Sequence, residues 1–300
     1  MGFLETHDQA PIEEDKSTSA YYQLIKLFME PAETLPKFDL ETQFALVKKL
    51  NVFLNLDDQA ADKICKEFAD KLTKYGMYEG AIYVCEHLSS EQESSEKITA
   101  IIDAHIDELG FLNDASALKR LNHSLRISMD FLNKARARRF TANEEFESAV
   151  KALIIGHSLE KAHKLAVEKV APQYVIQETG LRQLQELLEH FSSVPGWSTG
   201  GKIYSDYVLL REYKRTGNEE EIKELVPQLI NELQLLEEVN FNVKVAKTMM
   251  YKQLISTVFK YQIDVAASEL ETLQLPPSEA NYLKNKLPNG GNTKLLADGK

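Results

Sequence analysis

Residues Phe68–Leu88 read FADKLTKYGMYEGAIYVCEHL. One helical pattern ends at Gly76, and a second, more apolar one begins at once and runs through AIYVCEHL. Upstream, Ala61, Ile64, Cys65, Phe68 and Leu72 keep an unbroken helical spacing, and Asp57 or Asp58 stands where that helix should start. Glycine at 76 suits the left-handed residue that closes such a helix. The segment from Met77 is apolar on more than one face (Tyr78, Ala81, Ile82, Tyr83, Val84, Cys85, Leu88), which predicts burial between neighbours. The same device returns at Phe146–Val170, FESAVKALIIGHSLEKAHKLAVEKV, where one helix stops at Gly156 and another starts behind Ser158. Short links of this kind set consecutive helices antiparallel. The expected fold is all-α: an irregular α-solenoid of stacked antiparallel helix pairs.

Working outward, residues 1–17 are polar and acidic without periodicity, which predicts a disordered arm. A helix is expected over Ala20–Glu30, with Tyr21, Leu24, Ile25 and Phe28 inward and Pro31 as its stop. Asp39 is placed to cap a helix reaching about Leu54, with Phe44, Val47 and Leu50 inward. SSEQESSE reads as a solvated loop before a helix over Ser95–Leu109, closed by Gly110. Asp114 and Ser128 precede the next two helices, and Thr141 with Glu144 has capping-box spacing ahead of the helix carrying Phe146. Gly180–Phe191 carries another full stripe. SSVPGWSTGG (192–201) then breaks the pattern, dividing the solenoid of 18–287 into a trunk-like block, 18–191, and a tail-like block, 202–287. Helices resume at Ile203–Arg215, Glu219–Val239 with a kink at Pro227, and Val243–Gln262; residues 288–300 should be a mobile tail. The pattern predicts about fourteen helices and no strand, too uneven in length for a regular TPR or HEAT array.

Composition narrows the function. The formal charge is −11, which works against non-specific binding of DNA or RNA backbones and gives no support for a standing contact with anionic membranes. No run of about 18 apolar residues exists to span a bilayer. The N-terminus lacks the regions of a signal peptide; MGFLET fits the loose myristoylation pattern at Gly2 and Thr6, against the plainer alternative of an ordinary start. Cys65 and Cys85 both fall on apolar helix faces and are read as reduced core thiols.

Motifs for catalysis are missing. The seven histidines are scattered, with no HxxxH or HExxH and no cysteine at ligand spacing, so neither metal nor cofactor is expected. GWSTGGK (196–202) follows no strand and reads as a flexible loop, not a phosphate cradle. The basic run Lys134, Arg136, Arg138, Arg139 splits between two helix faces; a solvated or acid-paired face explains it, with contact to an acidic partner protein as the alternative. Trp197, with Tyr204 and Tyr207 close behind, is either a loop anchor or a partner contact. The last long helix carries Tyr251, Leu254, Val258 and Phe259, more apolar surface than one stripe needs, so it either caps the core or binds another chain. These seven residues are the expected partner surface.

FADKLTKYGMYEGAIYVCEHL resembles a helix pair of the ancestral coatomer element family. LRISMDFLNKARARRF (125–140), ALIIGHSLEKAHKLAVEKVAPQYVI (152–176) and LLEHFSSVPGWSTGGKIYSDYVLLRE (187–212) follow in the family's order. The likeness covers about Ala20–Leu287 and is nearest to the scaffold nucleoporins of the Y-shaped nuclear pore subcomplex, which are released from the C-terminal half of a larger FG-nucleoporin precursor. One departure is that Tyr78 and Gly80 stand where the family has tryptophans. The resemblance implies the C-terminal trunk and tail of such a protein: a non-enzymatic scaffold of the pore coat at the nuclear envelope. It implies partners among the other Y-complex nucleoporins with helical tails, and support for protein transport and mRNA export. It implies no small-molecule substrate, no direct nucleic acid and no membrane insertion. The chain contains no FG dipeptide, so a structural role is expected, not a permeability barrier. A COPII-type vesicle coat subunit or an ER-exit-site organiser would share the fold and differ only in partners.

Overall fold

The computed structural model describes residues 26–30, 34–54 and 57–263, and no strand occurs among them. The chain forms two compact units, one up to Ile127 and one from Ser128. The first holds α1 (Leu40–Leu54), α2 (Asp58–Lys74), α3 (Tyr78–Cys85), α4 (Glu91–Ala104) and α5 (Ala115–Leu125). The second holds α6 (Met129–Ala142), α7 (Phe146–Ile155), α8 (Leu159–Leu165), α9 (Ala171–Gln177), α10 (Leu181–Leu188), α11 (Gly201–Thr216), α12 (Glu219–Gln234) and α13 (Phe241–Tyr261). The fold is all-α, with helices packed in pairs within each unit.

In the first unit the helix starts follow the side chains that can cap them. Asp39 Oδ1 accepts the Thr42 amide at 2.9 Å, Asp57 Oδ1 that of Ala60 at 2.6 Å, and Asp114 Oδ1 that of Ser116 at 2.7 Å. Gly76 takes φ +75°, and the Met77 amide bonds back to the Leu72 carbonyl at 2.9 Å, so glycine closes α2 by the left-handed turn its position predicts. α3 packs on α2, α4 and α5, with Ala81, Ile82, Val84 and Cys85 all buried. Its apolar faces are therefore spent on three neighbours.

A polar ladder joins α2 to α4 across a constant offset. Asp62 accepts the Ser89 amide at 2.8 Å and its hydroxyl at 2.6 Å; Lys66 pairs with Glu93 at 2.7 Å and Asp70 with Lys97 at 2.9 Å. Each pair is 27 residues apart (62 to 89, 66 to 93, 70 to 97), so partners advance together along the two helices. Two helices can keep such a register only if they run parallel, with α3 returning between them.

Several local expectations change. SSEQESSE is mostly helix: Ser90 caps α4, accepting the Glu93 amide at 3.3 Å, and α4 ends at Ala104, with turns up to Gly110. Of the stripe predicted over Ala20–Glu30, Phe28 is half exposed and Leu27 is the buried residue; Tyr21, Leu24 and Ile25 lie outside the described residues, as do the arms 1–17 and 288–300. The Thr141–Glu144 capping box does not form. α6 runs through Thr141, whose hydroxyl donates to the Ala137 carbonyl at 2.7 Å, and Glu144 takes the left-handed turn at φ +62°.

Gly156 ends α7 for a different reason from Gly76. Its φ is −81°, and His157 adopts the left-handed conformation instead. What Gly156 supplies is room: a Cβ there would lie 3.2 Å from the Asp130 carbonyl oxygen of α6. The helix expected behind Ser158 is interrupted. α8 gives way to a π-turn, Ala166–Val170, before α9 resumes with Pro172 in its first turn. Proline has no amide to continue an α-helical ladder, and the wider turn passes that point. Pro227 lies inside α12, which continues to Gln234.

One apolar core runs from Val150 to Val258 and includes Phe191 and Val194. The 192–201 loop is therefore a corner inside one unit, and the division falls at Ile127 and Ser128 instead of at that loop. Its glycines and serines broke the helical pattern, but its apolar residues turn inward.

Candidate interaction surface

The residues predicted to meet a partner are mostly core. Tyr204 and Leu254 are fully buried, and Tyr207, Tyr251 and Val258 nearly so. Trp197 and Phe259 are half-buried and pack against the same core. The physical reason is the position of α13, which packs against α9, α12 and the π-turn, so its surplus apolar surface is consumed inside its own unit.

Trp197 sits in an unusual corner. A Cβ on Gly201 would come within 2.3 Å of its Cζ3 atom, so only glycine allows the ring to lie against the start of α11. The Gly201 amide donates to His163 Nε2 at 3.2 Å, and the His163 ring lies 5.5 Å from Phe191 and 6.1 Å from Trp197. α11 has no side-chain cap of its own, so a histidine from α8 serves as one. Accepting through Nε2 requires neutral imidazole, and burial holds the His163 pKa below its usual 6.5. His163 is one of seven scattered histidines, and no local sequence signal marks its role.

Next along α11, Lys202 Nζ bonds both Asp206 and Glu232 at 2.6 Å, tying α11 to α12. Burial raises Asp206 despite the lysine; it opposes ionisation of Glu232 too, but the bonds from Lys202 and Gln228 hold that carboxyl below its ordinary value. Both carboxylates are engaged by one cation, which makes the trio a clamp. Cys65 and Cys85 are free, buried thiols whose pKa values burial pushes up to about 11. Of the basic run, Lys134 and Arg138 are exposed, whereas Arg136 turns inward, donating to Asn133 Oδ1 at 3.0 Å with its guanidinium over the Phe140 ring. Among the described residues no three His, Cys, Asp or Glu side chains converge as metal ligands, and no helix is long and apolar enough to cross a membrane.

Another group of exposed apolar residues lies in the second unit. Leu235, Val239 and Phe241 are 54%, 51% and 78% exposed, all within the turn from α12 to α13. That turn is tied down. Asn240 caps α13 by accepting the Val243 amide at 3.0 Å and donates to the Glu168 carbonyl at 2.9 Å. Lys247 donates to the Leu236 carbonyl at 2.8 Å and pairs with Glu238 at 3.5 Å. Beside it lies a groove of about 230 Å³ whose walls include His163, Val167, Gly200, Leu236, Glu237 and Val239. A second, larger groove of about 720 Å³ between α10 and α11 is lined by Leu181, Val208 and Leu209 with Arg182, Arg211 and Arg215. The turn is not marked in the sequence, where Leu235–Val239 falls in the end of the helix expected over Glu219–Val239.

The described residues thus form paired helices whose side chains are largely spent on packing, with one fixed apolar corner left exposed. A family model described as Nuclear protein 96 (Nup96) matches residues 4–139. Nucleoporin nup189 of Schizosaccharomyces pombe is 28% identical over 164 residues, covering 53% of this chain and 9% of that protein. Over these stretches the chain is similar to nucleoporins of the Nup96 type, and it spans only a small part of the length of the relative it matches.

Proposed function

We propose that this chain is a structural subunit of the Y-shaped coat subcomplex of the nuclear pore, without catalysis, and that it corresponds to the trunk and tail of the family protein. Its helix pairs offer attachment surfaces to other helical nucleoporins, and through pore assembly it supports protein transport and mRNA export. The observation that carries the proposal is the family match over residues 4–139, which takes in the described helix pairs of the first unit. Engagement of the Lys202 trio and the buried thiols in packing accords with a scaffold role. The test is quantitative affinity purification of the tagged chain. Near-stoichiometric recovery of pore-coat nucleoporins is expected; recovery of COPII coat components in their place would overturn the assignment.

A further inference from the structure

We propose that the α12–α13 corner is a docking site for a basic, amphipathic helix of a partner protein. This rests on the scaffold role proposed above. Three large apolar side chains, Leu235, Val239 and Phe241, stand in water on one seven-residue turn. Among the described residues no other stretch this short exposes three large apolar side chains, and clusters of this kind mark interaction sites. Asn240 and Lys247 fix the turn by hydrogen bonds on both sides, so little ordering entropy is lost when a partner seats.

The shape and charge of the corner select the occupant. The adjoining groove, about 230 Å³, is sized for a bulky apolar side chain and not for a drug-sized ligand. No strand edge exists among the described residues to template an added strand, so a helix inserting an apolar knob is the mode that fits. Lys164 pairs with Glu168 and Lys247 with Glu238, which leaves Glu237 on the groove wall with no ion pair to a described residue. α12 also ends here, and helix C-termini favour cations. The partner helix should therefore carry a lysine or arginine beside its knob, and the chain's charge of −11 works in the same direction.

Photo-crosslinking of the full chain in its native complexes tests this. p-Benzoylphenylalanine replaces Phe241, with a control probe at Tyr75, which is exposed on the first unit. The expected result is a crosslink from position 241 to a helical segment of another protein bearing an apolar residue flanked by basic ones. Glu237→Lys should cut its yield by roughly fivefold, the upper end for one exposed ion pair, while leaving the melting temperature unchanged. No crosslink at 241, crosslinks only to residues 264–300 or to a second copy of the chain, or crosslinks to an acidic segment would each overturn it. Co-purification decides the scaffold role separately: a chain that recovers the pore coat yet gives no crosslink at 241 refutes the corner and not the role.

Discussion

The Asn240 side-chain amide donates to the backbone carbonyl of Glu168 at 2.9 Å, across 72 residues of sequence. Glu168 is four residues before Pro172, so in an α-helical ladder its carbonyl would look for an amide that proline lacks. The same asparagine accepts the Val243 amide and so starts α13. One residue serves a helix interruption and a helix beginning in different parts of the unit. Asn240→Ala removes both bonds and should destabilise by about 1–3 kcal/mol. Asn240→Asp keeps the cap but sets an oxygen against the Glu168 carbonyl. Urea denaturation should place it between the wild type and Asn240→Ala; a wild-type result for the aspartate would show that the Glu168 bond contributes nothing.

His163 should make stability pH-dependent. Its pKa is lowered in the folded state, so between that value and the unfolded 6.5 the unfolded chain binds more protons. The contribution is fully present above pH 6.5 and falls away as pH drops below it. His87 is lowered as well, by burial and by Lys48, so the comparison must be made against a variant. In His163→Gln, which keeps an acceptor but does not titrate, the loss of stability from pH 7 to pH 5.5 should be smaller than in the wild type.

Gly201 and Gly76 should fail differently when replaced by alanine. Gly76→Ala meets a left-handed backbone with no clash, its nearest neighbour being the Tyr78 hydroxyl at 4.0 Å, and should cost about 1 kcal/mol. Gly201→Ala drives a methyl into Trp197 and His163, and overpacking of this kind costs about 1–3 kcal/mol or more. Trp197 is the only tryptophan, so its emission reports on the corner directly. A red shift is expected for Gly201→Ala and none for Gly76→Ala.

The α2–α4 ladder should be unequal along its length. Asp62 is buried, and Asp62→Ala strands the Ser89 amide, at a cost of about 1–3 kcal/mol. Lys66–Glu93 and Asp70–Lys97 are solvent-accessible, and breaking either should cost less than about 1 kcal/mol. Denaturation midpoints of Asp62→Ala, Glu93→Ala and Lys97→Ala settle the ranking.

Tyr204→Phe separates a core role from a partner role. The Tyr204 hydroxyl is buried and finds no hydrogen-bond partner among the described residues, and burial pushes its pKa well above the usual 10. Removing an unsatisfied buried hydroxyl should leave stability unchanged or raise it by up to about 1 kcal/mol. Calorimetry checks this. A clear drop in melting temperature would mean that the hydroxyl is bonded after all.

What could be read in advance was local. Asp39, Asp57, Asp114 and Ser128 cap helices as their positions predict, because a cap bonds an amide two or three residues away. Gly76 takes the left-handed turn for the same reason of short range. The Thr141–Glu144 signal was also local, yet it failed, because α6 carried its ladder through Thr141. The corner at 235–241 was not visible, since its anchor on the Glu168 carbonyl lies 72 residues away in sequence, and a proline next to a helix does not by itself say that the turn before it will widen.

The sequence by itself determined an all-helical chain, the pairing around Gly76, and apolar stripes sufficient for a core. It could not say which stripes stay on the surface. Tyr204, Tyr207, Tyr251, Leu254 and Val258 are as apolar as an interface and are buried because α11 packs on α10 and α12 and α13 returns onto α9 and α12. Leu235 and Val239 looked like the end of a helix, and Phe241 like the link after it; all three are exposed where α12 stops at Gln234 and α13 starts at Phe241. Hydrophobicity drives side chains out of water but is non-directional, so only tertiary packing decides which of them a neighbour covers.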